Sequence, residues 1–147
     1  MHILTASGDS TFKIWDFVHT NCTYTFKDHR QPIWSLDIND SGDYVVTGSM
    51  DHSTRLVDIN VGKCRSVVRG HVDSVNSVNW KQGSSIFGSA SADKTVSVWD
   101  ARSGLCTQTF YGHDSSVTCM KFNNRGMKLS SCDSAGIVKT WDLRMAK

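Results

Sequence analysis

The chain has 147 residues, of which 16 are Lys or Arg and 14 are acidic, and its formal net charge is +2. A length of this order is typical of one domain, and a charge balance so close to neutral does not predict a nucleic-acid partner. Its apolar runs are shorter than the roughly 18 residues of a membrane-spanning segment, and the N-terminus lacks the layout of a signal peptide. We therefore expect a soluble, cytoplasmic protein that does not bind membranes.

The acidic residues indicate the secondary structure, because all 14 of them are Asp. Asp hydrogen-bonds to nearby backbone and collects in turns, whereas Glu favours helix interiors. The chain is also rich in Ser, Thr and Val, residues that suit strands joined by tight turns. These two features predict an all-β fold with almost no helix.

Short apolar clusters of strand length alternate with turn residues along the whole chain. In chain order, the first predicted strands are residues 2–5, 11–16 and 22–26. Four more follow at 33–38, 44–47, 54–58 and 64–68, and another four at 75–80, 86–90, 95–100 and 106–110. The last three are residues 117–122, 127–131 and 137–142. The pattern thus predicts 14 strands.

The same residue types recur at a step of 42 residues. The dipeptides that keep this step are Trp15-Asp16, Val57-Asp58, Trp99-Asp100 and Trp141-Asp142. Four further registers follow it: Thr5, Thr47, Ser89 and Ser131; Asp9, Asp51 and Asp93; His29, His71 and His113; Cys22, Cys64 and Cys106. A period near 42 that carries Gly-His and Trp-Asp is typical of a propeller blade, a sheet of four antiparallel strands.

The period divides the chain into about three and a half blades. We assign residues 1–27 to three strands of a first blade, 28–69 to a second blade, 70–111 to a third, and 112–147 to three strands of a fourth. Because closed propellers have about four to eight blades, we expect this chain to be part of a larger propeller of about seven blades. A fragment whose flanks are missing is the alternative.

Five cysteines occur, and three of them occupy equivalent positions in successive repeats. Equivalent positions on neighbouring blades are normally too far apart for a disulfide bond. The odd count and this placement predict free thiols in a reducing compartment.

The Gly-His, Ser/Thr, Asp and Trp registers resemble the structural tetrad of the WD-repeat β-propeller family. This resemblance implies that His71, Ser89, Asp93 and Trp99 form one hydrogen-bonded chain. In it the indole would donate to the serine hydroxyl, the hydroxyl would meet the imidazole, and the aspartate would accept from the imidazole. A fully satisfied buried network of this kind makes a blade rigid.

The other units depart from this tetrad. Their partial sets are Thr5, Asp9 and Trp15 in the first unit, His29, Thr47 and Asp51 in the second, and His113, Ser131 and Trp141 in the last. The second unit has Val57 in place of Trp, and the last has Ala135 in place of Asp. Asp133 lies two residues before Ala135, and its position alone does not show that it substitutes. These gaps predict blades of unequal stability.

Four segments, residues 71–78, 91–106, 111–113 and 131–142, also resemble the sperm-associated-antigen WD-repeat proteins of the axonemal central pair. The turn Asp is likewise absent from one blade of that family. This resemblance implies a scaffold in the cytoskeleton of the ciliary or flagellar axoneme that supports motility. It also implies axonemal or microtubule-associated partner proteins.

Other chemistries are disfavoured by the repeat. The histidines lie one blade apart, whereas zinc needs its ligands within about 2 Å of one ion, so we expect no metal site and no cofactor. Ser89, His71 and Asp93 are the residue types of a catalytic triad, but the tetrad reading assigns them to packing, and we expect no enzyme activity. We also expect Trp34 and Trp80 to be blade-interface core and not stacking platforms for nucleic acid.

Protein recognition is the function that remains. Loops on rigid scaffolds commonly carry binding residues, and the loops before the first strand and after the second strand of each blade share one end. Arg is a frequent binding hot spot, so we predict that Arg30 contacts a partner together with Met50 and Val72. The alternatives are that these three side chains are merely exposed, that the chain is a generic adaptor in a ubiquitin ligase or chromatin complex, or that it is a Ser-His-Asp enzyme.

Overall fold

The computed structural model describes residues 1–145 and contains four separate antiparallel sheets. The first sheet consists of β1 (His2–Ala6), β2 (Phe12–Asp16) and β3 (Asn21–Phe26). The second consists of β4 (Ile33–Ile38), β5 (Tyr44–Ser49), β6 (Ser53–Asp58) and β7 (Lys63–Arg69). The third consists of β8 (Val75–Trp80), β9 (Ile86–Ser91), β10 (Val96–Asp100) and β11 (Cys106–Phe110). The fourth consists of β12 (Val117–Phe122), β13 (Lys128–Asp133) and β14 (Val138–Asp142).

These strands confirm the predicted all-β fold class and the count of 14. The strands follow the meander order within each sheet, and the sheets stand side by side as blades of a partial propeller. The strand bounds agree with the sequence pattern to within two residues. The largest differences are at β5 and β13, which each end two residues later than predicted. β13 ends at Asp133 because Asp133 still pairs with Val117 of β12. No helix of the described residues is long and apolar enough to cross a membrane.

Apolar side chains fill the three junctions between neighbouring blades. Phe12, Ile14 and Phe26 pack against Ile33, Val45 and Val57 at the first junction. The second junction buries Val46, Leu56 and Val68 against Val78, Trp80, Phe87 and Trp99. The third buries Ala90, Val96, Val98 and Phe110 against Val117, Met120 and Leu129. The apolar core therefore lies in the three layers between neighbouring blades. This is expected because alternate side chains of a strand point to opposite faces of its sheet, and a neighbouring blade can cover each face.

Polar side chains of the inner strands also join the blades. Asp37 of β4 accepts hydrogen bonds from the backbone N–H of Trp80, at 2.7 Å, and from the amide of Asn79, at 2.8 Å. Asn79 in turn accepts a hydrogen bond from the backbone N–H of Phe122 at 3.0 Å. A side chain of β4 thus accepts from the backbone of β8, and a side chain of β8 accepts from the backbone of β12. These hydrogen bonds hold the three inner strands side by side.

Each sheet has a tetrad end and an opposite end. The tetrad end is the end at which β4, β8 and β12 begin, and the opposite end is the one at which they finish. Ile33 at the start of β4 pairs with Ser49 at the end of β5. The β5–β6 turn therefore lies at the tetrad end, beside the loop that precedes β4. The five cysteines have free thiols.

Candidate functional site

The third blade brings together the four residues that the sequence groups as a tetrad. The indole Nε1 of Trp99 donates to Ser89 Oγ at 2.7 Å, and Ser89 Oγ lies 2.7 Å from His71 Nε2. His71 Nδ1 lies 2.8 Å from a carboxylate oxygen of Asp93. Asp93 then accepts hydrogen bonds from both the backbone and the side chain of Thr95. One chain of hydrogen bonds thus connects the loop before β8, two strands and the β9–β10 turn.

This geometry matches a catalytic triad in its distances, but it leaves Ser89 no role as a nucleophile. Ser89 is 0% exposed, and its oxygen already accepts the Trp99 indole proton. The Ser89 hydroxyl then donates a hydrogen bond to His71 Nε2. In the imidazole tautomer that accepts it, Nδ1 carries the hydrogen and donates to Asp93. Because Ser89 Oγ is buried and shared between two partners, the geometry is that of three groups that hold the blade together.

The fourth blade makes the same network with a different aspartate. His113 Nε2 lies 2.7 Å from Ser131 Oγ, which accepts the Trp141 indole N–H at 2.9 Å. His113 Nδ1 lies 2.8 Å from a carboxylate oxygen of Asp133, so Asp133 supplies the group that Ala135 lacks. The hydrogen bond from His113 holds the pKa of the Asp133 carboxyl below its ordinary value. The gap that the sequence predicts in this blade is therefore filled in the structure.

The second blade keeps the histidine but has no indole donor. His29 Nε2 lies 2.7 Å from Thr47 Oγ1, and His29 Nδ1 lies 2.7 Å from a carboxylate oxygen of Asp51. Burial lowers the pKa of His29, which favours the neutral imidazole. Burial would raise the pKa of Asp51, but hydrogen bonds from Ser53 and His29 outweigh it and hold that pKa at about 2.

A glycine makes room for each tetrad indole. A Cβ atom on Gly70 would lie 2.6 Å from Trp99 Cη2, and one on Gly112 would lie 3.2 Å from Trp141 Cη2. Asp28 stands at the equivalent place of the second blade, where Val57 replaces the tryptophan. We expect the departures at Asp28 and Val57 to be linked, because a Cβ atom at the position of Gly70 would meet the indole ring.

The first blade contains only part of this network. Trp15 Nε1 donates to Thr5 Oγ1 at 2.9 Å, and Asp9 accepts hydrogen bonds from the backbone and hydroxyl of Thr11. Ile3 is 42% exposed and Trp15 is half-buried. The face of this sheet that carries the Trp15–Thr5 hydrogen bond thus remains partly open to solvent.

The predicted contact residues Arg30, Met50 and Val72 are all exposed at the tetrad end. Met50 is 44% exposed and Val72 is 79% exposed. The backbone N–H of Met50 donates to the Pro32 carbonyl at 2.9 Å, so the loops that carry Arg30 and Met50 are fixed to each other. Val72 follows the tetrad residue His71, and its own N–H donates to Asp93. The tetrad thereby sets the position of this surface.

Trp34 belongs to the same surface, which corrects the sequence-based expectation. It was predicted to be interface core, but it is 53% exposed, whereas Trp80 is 8% exposed. The pairing of β4 with β5 shifts register between Ile33 and Ser35, so the strand alternation that predicts a buried residue 34 is interrupted there. The tetrad-end surface comprises four residues, Arg30, Trp34, Met50 and Val72.

Within residues 1–145, no three His, Cys or Asp side chains are placed to hold a metal ion.

Comparison with known protein families gives one match. The family model for the WD domain, G-beta repeat, matches residues 20–58, 62–100 and 104–142. These three ranges cover well over half of the chain, and each runs from the outer strand of one sheet to the third strand of the next. No curated protein matches the chain.

Proposed function

The chain belongs to the WD-repeat family, and from this premise we propose that it is a non-catalytic scaffold of the ciliary or flagellar central apparatus. Domains built of these repeats generally bind other proteins. The axonemal location is more specific than the scaffold role. It places the chain in the cytoplasm and cytoskeleton, with axonemal or microtubule-associated proteins as partners.

The observation that supports a scaffold most directly is the fixed tetrad-end surface. Arg30, Trp34, Met50 and Val72 are exposed. Trp34 lies on β4, and the other three lie on loops held by the buried networks of His29 and His71. Trp and Arg are the residue types most often found at binding hot spots. A rigid surface also loses little conformational entropy when a partner binds.

The axonemal assignment is supported by sequence features peculiar to single blades. The segments 71–78, 91–106 and 131–142 resemble the central-pair family, and the last segment contains the replacement of the turn aspartate by Ala135. In the structure, Asp133 makes the hydrogen bond to His113 that an aspartate at position 135 would otherwise make.

Co-sedimentation with detergent-extracted axonemes tests the proposal. The full chain is expected to pellet with axonemes, and the triple variant Arg30→Ala, Met50→Ala and Val72→Ala to lose at least tenfold in affinity. Trp34→Ala alone is expected to weaken binding as a hot-spot residue does, by about tenfold or more.

A matched control removes one Arg and two exposed apolar side chains at the opposite end, by Arg125→Ala, Val61→Ala and Leu105→Ala. This control is expected to pellet like the unaltered chain. Wild-type protein that stays in the supernatant would overturn the axonemal assignment and favour the generic adaptor. Equal pelleting of the triple variant would overturn the role of the tetrad-end surface.

A further inference from the structure

A cleft of about 700 Å³ opens between the second and third blades, at the opposite end from the tetrad surface. Tyr44, Leu56 and Arg65 line it from the second blade, and Trp80, Ala101 and Arg102 line it from the third. Its volume falls within the range of about 300–1,000 Å³ that is usual for ligand sites. The tetrads do not contribute to it, so it is a separate feature of the fold.

One side chain beside the cleft is smaller than its counterparts at the other two junctions. Ala101 lies where the repeat places Ile59 in the second blade and Leu143 in the fourth. Ile59 and Leu143 each pack against the apolar cluster of their own junction, and Ala101 does so with a much smaller side chain. The small side chain of Ala101 leaves space at this end of the junction, where Trp80 forms part of the wall.

Trp80 provides an unsatisfied donor in this wall. Its side chain is 8% exposed, and its indole Nε1 is buried with no hydrogen-bond partner among the described residues. A buried N–H without an acceptor lowers the stability of the fold. Because this atom is itself buried, a ligand in the cleft can bond to it only if the side chains that cover it move.

The charges at the rim of the cleft favour an anion. The guanidinium of Arg65 lies over the Tyr44 ring, 5.4 Å from its centroid, and Nη1 donates to the Tyr44 hydroxyl at 2.6 Å. The Arg102 guanidinium makes no ion pair within residues 1–145. One carboxylate, that of Asp40, also lines the cleft and keeps its charge while it accepts from Gly83 N–H, so Arg65 and Arg102 leave the lining with an excess of one positive charge. The two guanidinium groups thus retain unused donors.

We propose that this cleft binds an acidic peptide segment of a partner protein, with one apolar side chain inserted against Trp80 and Leu56. Carboxylates on either side of that side chain would accept from Arg65 and Arg102. The inference goes beyond the proposed function, since it assigns a second site that does not use the tetrad-end surface.

The repeat supplies substitutions that the fold already tolerates elsewhere. Ala101→Leu places in the cleft the residue found at Leu143, and Trp80→Phe removes the indole N–H in the manner of Phe122. Arg65→Thr copies Thr23 and Thr107, and Arg102→Asn copies Asn60. Each variant therefore alters the site with a side chain known from the equivalent position of another blade.

Fluorescence anisotropy with labelled peptides tests the proposal. The probes are hexapeptides with a central Leu or Phe flanked by Asp residues, and matched peptides with Lys in place of Asp. The acidic peptides are expected to bind the full chain, and the lysine peptides to bind at least tenfold more weakly. Ala101→Leu is expected to abolish binding, and the pair Arg65→Thr and Arg102→Asn to weaken it at least tenfold.

A second readout locates the peptide. The indole N–H resonance of Trp80, identified by its loss in Trp80→Phe, is expected to shift on addition of the acidic peptide. The control Met50→Ala, at the tetrad end, is expected to bind the peptide unchanged.

No binding by wild-type protein, equal binding of acidic and basic peptides, or unchanged binding by Ala101→Leu would overturn the proposal. These outcomes are independent of axoneme co-sedimentation, which tests the tetrad-end surface.

Discussion

Asp133 combines two roles that separate residues perform in the neighbouring blade. One carboxylate oxygen lies 2.8 Å from His113 Nδ1, and the other accepts the backbone N–H groups of Ala135 and Ile137, each at 3.0 Å. In the third blade, Asp93 binds His71 and the Thr95 N–H, while Ser91 Oγ accepts the Asp93 N–H. Asp133 stands at the register position of Ser91, so its longer side chain reaches across the turn to the histidine.

Replacement of Asp133 by Ser is expected to lower the free energy of unfolding by about 1–3 kcal/mol, because the buried imidazole of His113 loses its acceptor. The double variant Asp133→Ser and Ala135→Asp recreates the arrangement of Ser91 and Asp93, and it should recover most of that loss. Urea unfolding of the three proteins measures the effect. Equal stability of the single and double variants would contradict the proposed exchange of roles.

Replacement of Gly70 by Ala is expected to destabilise the third blade by about 1–3 kcal/mol through overpacking. The added methyl would lie 2.6 Å from Trp99 Cη2 and displace the ring from its Ser89 partner. Gly8→Ala is the matched control, since nothing lies within 4 Å of a Cβ at that position. The quenching of Trp fluorescence and the thermal unfolding midpoint report the change, and equal midpoints for both variants would contradict it.

The same packing argument predicts that Val57→Trp needs a second change. An indole at position 57 meets the Cβ of Asp28, so the single variant should be less stable than wild type. The double variant Val57→Trp and Asp28→Gly should be more stable than the single one, because Thr47 then gains a donor. Thermal unfolding distinguishes them, and a double variant no more stable than Val57→Trp would argue against a shared site.

Acidification is expected to weaken the second blade through His29. Burial lowers the pKa of His29 below its ordinary value of 6.5, so the unfolded chain binds a proton more readily than the folded chain. Stability should therefore fall as pH drops through about 6.5. The Asp51 carboxyl, with a pKa of about 2 against 3.8 in the unfolded chain, adds a second loss as pH falls below about 4.

Urea midpoints at pH 7.5 and pH 5 measure the His29 effect. His29→Gln is expected to be less stable than wild type at pH 7.5, with a smaller difference at pH 5. His19→Gln is the control, since the side chain of His19 is 74% exposed. The same difference between wild type and His29→Gln at both pH values would show that the imidazole does not titrate between them.

Asp37 is expected to hold the second and third blades together through its oxygen atoms. Asp37→Ala leaves the backbone N–H of Trp80 without its acceptor and should cost about 1–3 kcal/mol. Asp37→Asn should retain most of the stability, because Asn79 makes the equivalent bond to Phe122 at the next junction. Comparable unfolding midpoints for the alanine and asparagine variants would contradict a hydrogen-bonding role.

Much of this architecture follows from the sequence by itself. The step of 42 residues, the strand pattern and the registers of His, Ser or Thr, and Trp predict the 14 strands and their grouping into blades. They can do so because strand alternation and turn chemistry are local properties of the chain. The pairing of His71 with Ser89 is implied by the resemblance of these registers to the WD-repeat tetrad.

Only the tertiary structure decided the features in which side chains from different segments meet. The reach of Asp133 to His113 depends on the path of the turn, and the exposure of Trp34 depends on a register shift in β4. The cleft beside Ala101 depends on how much volume two packed blades leave between them. These quantities are set by distances across the fold, and a repeating pattern along the chain does not contain them.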